Sequence, residues 1–166
     1  MGAMTETIAH TVSPSQTKAV AAALSACLQP GDVVLFNGSL GAGKTQFVQG
    51  VAQGLGVEAA VVSPTFNLLI TYTGGRLPLH HFDLYRLAQP EELDDIAFFE
   101  TVEGEGASFV EWAERFPEDM PEDALLVTMS LVEGEPEHRV IGAAASGVRS
   151  EELLEQWRQA VQAALP

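Results

Sequence analysis

An α/β fold built on a mixed sheet is what this sequence predicts, and three observations carry that prediction. The apolar run Asp32 to Asn37 leads into the octapeptide GSLGAGKT at residues 38–45, after which helical apolar spacing resumes from Thr45. Apolar and β-branched runs flank turn signals at Gly74-Gly75 and at Gly134 to Pro136, as antiparallel strand pairs do. Helical segments follow the first strand-like run and close the chain. The octapeptide fits G-x-x-x-x-G-K-[ST] without a mismatch, so the expected architecture is the P-loop NTPase three-layer sandwich, with antiparallel strand pairs in its sheet. At 166 residues the chain is expected to form a single domain over 1–166; Met1 to Ala3, ahead of Met4, are compatible with a cloning remnant.

Each element has a local reason. Thr7 to Val12 reads as a short first strand. Ser13-Pro14-Ser15-Gln16 then has the form of a capping box, with Ser13 as N-cap, Pro14 at the first helical position and Gln16 at the third. That helix is expected to reach about Cys27, before Pro30-Gly31 breaks the chain ahead of the loop strand. The helix after the loop should end near Gly54 to Gly56. A hairpin follows, its second strand ending around Asp83. Pro90-Glu91-Glu92 opens a short acidic helix whose first-turn charges suit the helix dipole. SFVEW is a short apolar strand, Ala124 to Ile141 makes two more, and Ser150 to Leu165 is an amphipathic helix.

The octapeptide also fixes a chemistry. Gly38, Gly41 and Gly43 allow backbone N–H groups to curl around phosphate oxygens where a Cβ would obstruct them. The positive end of the following helix points at the same anion. Lys44 reaches the β- and γ-phosphates, and the Thr45 hydroxyl can hold Mg²⁺. The predicted nucleotide contacts are therefore Gly38, Ser39, Leu40, Gly41, Ala42, Gly43, Lys44, Thr45 and Gln46. Only one other lysine, Lys18, exists in a chain of net charge −15, so the loop lysine is not one of a general basic coat.

Composition narrows the classes of partner. With 46% hydrophobic and 19% charged residues, the chain reads as globular. No apolar run is long enough to span a membrane and no signal pattern opens the sequence, so the expected location is the cytoplasm. Residues 91–123 hold thirteen acids and one base, Arg115. Such a surface repels phosphodiester backbones, which argues against tight direct binding of nucleic acid. It suits either a basic protein partner or plain solubility. Cys27, the single cysteine, lies in an apolar helical stretch and is read as packing.

Hydrolysis needs more than a phosphate loop: a metal anchor and a group that orients water. Asp83 and Glu111 each follow an apolar strand, where an acid faces the ligand crevice of an α/β sheet. Thr65, in Ser63-Pro64-Thr65-Phe66, stands where a sensor threonine would, although the same tetrapeptide is an ordinary turn signal. His80 and His81 are adjacent, so on a strand they point to opposite faces and do not suit one metal; no zinc site is expected. Trp112 suits either core packing or a partner-facing role. Arg86 suits either phosphate sensing or an ion pair. No Asn/Thr-Lys-x-Asp motif follows the loop, which favours ATP over GTP.

GSLGAGKT, SPTF, HFDLYRL with PEEL, and VEWAER occur in this order, and over roughly residues 10–140 the chain resembles the TsaE (YjeE) family. The resemblance implies a small P-loop ATPase, slow alone, that works with the TsaD and TsaB proteins in forming the threonylcarbamoyl modification of adenosine in tRNA. The tRNA would be met only through the complex. ATP and Mg²⁺ are the implied cofactors. Lys44 and Thr45 would be the phosphate and Mg²⁺ contacts, Thr65 a switch-like threonine, and Asp83 and Glu111 the two acids essential for hydrolysis. Trp112 would be the tryptophan of the VEW element and a further nucleotide contact. Which acid anchors Mg²⁺ and which orients water stays open, with a leaning to Glu111 for metal and Asp83 for water. Family members often carry Asp or Glu where this chain has Ser39, which removes a carboxylate from beside the phosphates.

Two other functions fit a phosphate loop. A small-molecule kinase is the alternative, but such enzymes use an arginine-rich lid, and the six arginines here are scattered. A module that senses ATP without hydrolysing it would not need Asp83 or Glu111.

Overall fold

The structure is a computed structural model and describes residues 4–38 and 41–165. Expectations at Met1 to Ala3, Ser39 and Leu40 lie outside the described residues.

The strands are β1 (Glu6–Thr11), β2 (Val33–Gly38), β3 (Leu69–Tyr72), β4 (Leu79–Asp83), β5 (Ala107–Glu111), β6 (Leu125–Val132) and β7 (Glu135–Ala145). The helices are α1 (Pro14–Ser25), α2 (Lys44–Leu55), α3 (Glu92–Asp95), α4 (Phe98–Val102) and α5 (Val148–Ala164). The strands form one sheet in the order β1-β7-β6-β2-β5-β4-β3. Its centre is parallel, with β2 between β5 and β6 and β4 beside β5. Both flanks are antiparallel: β3 on β4 on one side, β6 on β7 on β1 on the other. The predicted mixed sheet is thus what forms.

Strand alternation divides the core between two faces. Val34, Phe36, Leu79 and Phe109 join α1, α2 and α5 in one cluster, where Phe47 meets Trp157 edge-on and the Trp157 indole donates to the Val20 carbonyl at 2.9 Å. Val33, Phe82 and Val110 face the other way, onto Leu93, Phe98 and Phe116. Helices cover both faces, which gives the three layers. Residues i and i+2 share a face of a strand, so His81 and Asp83 look toward the α2 side together with Glu111.

Local signals explain most boundaries. The Ser13 Oγ accepts from the Gln16 N–H at 3.2 Å, and the Gln16 Oε1 accepts from the Val12 N–H at 2.9 Å. This is a capping box displaced by one residue, the amide side chain reaching past the cap to the residue before it. Several boundaries differ from the sequence reading by a residue or more, β7 running on to Ala145 past Ile141 among them. Three of them have an identifiable physical cause. α1 stops at Ser25, short of Cys27, because the chain tightens there into a turn in which the Cys27 N–H bonds the Leu24 carbonyl. The single acidic helix is two, α3 and α4, broken at Ala97, whose φ of 54° no helix accommodates. α5 begins at Val148, two residues early, because its cap comes from elsewhere in the chain. The Asp123 carboxylate accepts from the Arg149 and Ser150 N–H groups at 2.9 Å each. A Cβ on Gly147 would fall 2.4 Å from the Asp123 Cγ, so the cap requires glycine there.

Candidate functional site: the pocket at the loop between β2 and α2

Parallel strands end together. Phe36 of β2 pairs with Glu111 of β5, and Glu111 with Asp83 of β4, so both acids sit at the carboxyl edge where the loop leaves β2. This is the edge at which α/β sheets bind ligands. A pocket of about 360 Å³ opens there, lined by Gly41 to Gln46, Ser63, Thr65, Asp83, Glu111, Trp112 and Arg139. It therefore gathers every sequence-derived candidate among the described residues except Arg86 and Gly38, the latter ending β2.

The loop has the shape an anion needs. Gly41 and Gly43 have φ of 80° and 101°, a left-handed geometry in which successive N–H groups converge on a concavity. α2 starts at Lys44 and adds its unpaired N-terminal N–H groups to the same concavity.

Two side-chain chains converge on this cradle. In the first, the Thr65 hydroxyl donates to Asp83 Oδ2 at 3.0 Å, so the 2.8 Å contact between Ser63 and Thr65 is a donation from Ser63. The Tyr85 N–H occupies Asp83 Oδ1 at 2.9 Å. Asp83 is 3% exposed and firmly oriented. In the second, Lys44 Nζ lies 3.4 Å from Glu111 Oε1, and His81 Nε2 lies 2.6 Å from Glu111 Oε2. A carboxylate only accepts, so Nε2 carries the proton. Burial works against the charge on Glu111, but the His81 hydrogen bond and charge, with Lys44, outweigh it and hold the carboxyl below its ordinary range. His81 is fully buried and its Nδ1 has no partner.

Aromatic side chains form the rim. Trp112 adopts φ 63°, rare for a bulky residue, at the point where β5 ends. That geometry sets its indole under Lys44, 5.5 Å from ring centroid to Nζ, and against Tyr85 at 4.8 Å. Trp112 is therefore neither a core residue nor wholly free. Phe66 is 83% exposed and carries the Arg86 guanidinium over its ring. Arg86 thus stacks, where the sequence left phosphate sensing and ion pairing open.

Histidines 80 and 81 do face opposite ways: His80 bonds the Thr71 hydroxyl at 2.9 Å, far from Glu111. The sequence reading missed the part His81 takes, although its position two residues before Asp83 placed it on the same face. Arg139 was also missed. It lies 97 residues from Ala42, whose carbonyl it binds at 2.7 Å, and no local pattern signals that contact.

The donor set suits a hard cation. Among the described residues no group of three or more His, Cys, Asp or Glu side chains is placed to hold a metal by itself. One hydroxyl and two carboxylates beside a phosphate cradle is how Mg²⁺ is commonly held, with phosphate and water completing its shell. No helix among the described residues is long and apolar enough to cross a membrane.

Comparison with known proteins identifies the family. Residues 11–141 match the family model described as "Threonylcarbamoyl adenosine biosynthesis protein TsaE". The chain is 42% identical over 147 residues to the tRNA threonylcarbamoyladenosine biosynthesis protein TsaE of Bacillus subtilis (strain 168), covering 89% of this chain and 90% of that one. It is 45% identical over 105 residues to the protein of the same name from Treponema pallidum (strain Nichols), covering 63% and 77%. The crystal structure of Bacillus subtilis YdiB superposes with a TM-score of 0.78 at 34% identity, covering 96% of this chain and 97% of that one. On sequence and fold alike, the chain belongs to the TsaE family.

Proposed function

We propose that this chain is the ATPase subunit that works with TsaD and TsaB in forming threonylcarbamoyladenosine in tRNA, its hydrolysis of ATP supporting turnover of that complex. The observation that carries the reading is the convergence of Lys44–Glu111 and Thr65–Asp83 on one glycine-lined cradle. The whole chain acts as one nucleotide-switched unit.

In this reading, residues 38–46 wrap the triphosphate. Without a nucleotide, Glu111 and Trp112 hold Lys44 in place, and the arriving phosphates take the lysine from Glu111. That exchange frees a carboxylate already kept ionised by His81, beside the Thr45 hydroxyl. Mg²⁺, held by Thr45 and Glu111, would neutralise charge on the β- and γ-phosphates. Asp83, one oxygen held by the Tyr85 N–H, then faces the γ-phosphate side, placed to orient the attacking water. Thr65 reports the γ-phosphate by exchanging its bond to Asp83 for one to phosphate or metal. Trp112 packs at the mouth and limits solvent.

The arginines support hydrolysis over phosphoryl transfer to a metabolite. Arg76 and Arg139 are spent on backbone carbonyls, Arg149 on Asp32, Glu152 and the Cys27 carbonyl, and Arg158 on Glu6 and Glu155. Arg86 and Arg115 lie over aromatic rings. None forms a lid.

The test is ATP hydrolysis by the chain alone and with the cognate TsaD–TsaB pair, with and without tRNA. Slow hydrolysis alone, stimulation by the pair and its loss in Glu111→Ala are expected. Fast hydrolysis indifferent to the pair would overturn the reading and turn the search to kinase substrates.

A further inference from the structure

Arg139, on β7, makes contacts that the reading above does not use. Its Nε donates to the Ala42 carbonyl at 2.7 Å and its Nη2 to the Gly41 carbonyl at 3.3 Å. Its Nη1 donates to the Pro136 and His138 carbonyls at 2.7 and 2.8 Å, which ties the guanidinium back to its own strand. One planar cation thus links the phosphate loop to the antiparallel flank of the sheet.

We propose that Arg139 is a positioning residue for the phosphate loop, fixing which way two of its peptide planes face. In a trans peptide the C=O and the following N–H point in opposite directions. Holding the Gly41 carbonyl on the outside therefore turns the Ala42 N–H inward, and holding the Ala42 carbonyl does the same for the Gly43 N–H. The loop needs such a constraint because Gly41 and Gly43, which make its geometry possible, also make it easy to leave. The Gly41 and Ala42 carbonyls lie outside any helix or strand, so without the guanidinium they fall to water and the planes are free to flip. Arginine suits this role because its fork reaches two acceptors at a fixed angle; lysine offers a point charge on a flexible stem. The inference rests on the loop being a nucleotide site and adds the residue that preorganises it.

The test compares wild type, Arg139→Ala and Arg139→Lys, by calorimetric titration with Mg·ADP and by amide hydrogen exchange of the nucleotide-free protein. Losing two charge-assisted bonds that hold the cradle should weaken ADP binding about tenfold in Arg139→Ala. Turnover at saturating ATP should fall less than ADP affinity does, since the loss falls mainly on binding. Exchange at Ala42 and Gly43 should quicken in the free protein. Arg139→Lys should recover only part of the affinity.

Unchanged affinity and unchanged exchange in Arg139→Ala would overturn the proposal. So would full recovery by lysine, which would make the effect one of charge alone. A collapse of turnover with normal ADP affinity would also overturn it, by placing the guanidinium on the reacting phosphoryl group. If wild type itself fails to bind ADP, the nucleotide reading has failed; the exchange comparison would still decide whether Arg139 orders the loop.

Discussion

A buried acid lies near each end of β2, Asp32 just before it and Glu111 on the neighbouring β5. Each is joined to a cation distant in the chain, and the two are built to opposite standards. At the start of the strand, Asp32 is 5% exposed and is gripped at both oxygens by Arg149, at 2.9 and 2.8 Å. The Gln29 N–H adds a third bond, and Arg149 also closes onto the Cys27 carbonyl and Glu152. Beside it, Asp123 caps α5. Beyond the other end, Glu111 holds Lys44 through a single 3.4 Å contact, His81 keeps an unpaired nitrogen, and Trp112 sits at positive φ. The first cluster is a saturated fastener that nothing could enter without breaking good bonds. The second is under-bonded and strained, as the proposed displacement of its contacts by a phosphate requires. Under the proposed function, stability and ligand exchange are thus divided between opposite edges of one sheet.

Substitutions can break this contrast, and the largest expected effect is at the loop. Lys44→Ala should lower ATP hydrolysis by about a hundredfold or more, because in the proposed reaction the lysine would meet charge that grows in the transition state. Its melting temperature should stay near wild type, since one loose ion pair is lost. Melting well below wild type would show that the carboxyl edge fastens the fold after all. Asp32→Ala is the mirror experiment. Leaving Arg149 without its partner should cost about 3 kcal/mol, lowering the melting temperature by roughly 6–12 °C. ADP affinity should not move, and a parallel loss of affinity would tie the two edges together.

Smaller effects sharpen the division. Thr65→Ala removes one hydrogen bond to Asp83, so hydrolysis should fall by roughly tenfold while ADP binds as before. An unchanged rate would reduce Thr65 to a turn residue. The smallest effect is in the pH dependence of unfolding. Burial opposes the charge on Asp123, but its bonds to Ser150 and Arg149 hold its carboxyl below the ordinary value. Glu111 is lowered as well. A lowered carboxyl contributes stability that is present above the unfolded-state value and lost as pH falls through the folded one. Thermal melts from neutral pH downward should therefore fall less steeply in Asp123→Asn, which keeps an acceptor for the cap but loses the charge at the helix start. Identical slopes would mean that the cap contributes no charge-dependent stability.

Much of the fold was legible because its signals are local. Ser13 and Gln16 announce the first helix within four residues, Gly56 ends the second in left-handed geometry, and Gly74 marks the β3–β4 turn. The site's candidates were legible for the same reason: GSLGAGKT is contiguous, and Asp83 and Glu111 each end an apolar strand. The misses involve partners far apart in sequence. The start of α5 depends on Asp123, more than twenty residues upstream, and the split between α3 and α4 turns on the conformation of Ala97 alone.

The sequence by itself determined the kind of chemistry this chain is built for, because a phosphate cradle needs glycines, a lysine and a hydroxyl at fixed spacing along one stretch of backbone. Only the tertiary structure decided how that cradle is furnished. The sheet order sets β4 and β5 beside β2, brings Asp83 and Glu111 to the loop, and turns His81 rather than His80 onto Glu111. It also carries Arg139 across 97 residues to the loop's outer carbonyls. Strand pairing and packing are summed over the whole chain, so no short window of residues contains them.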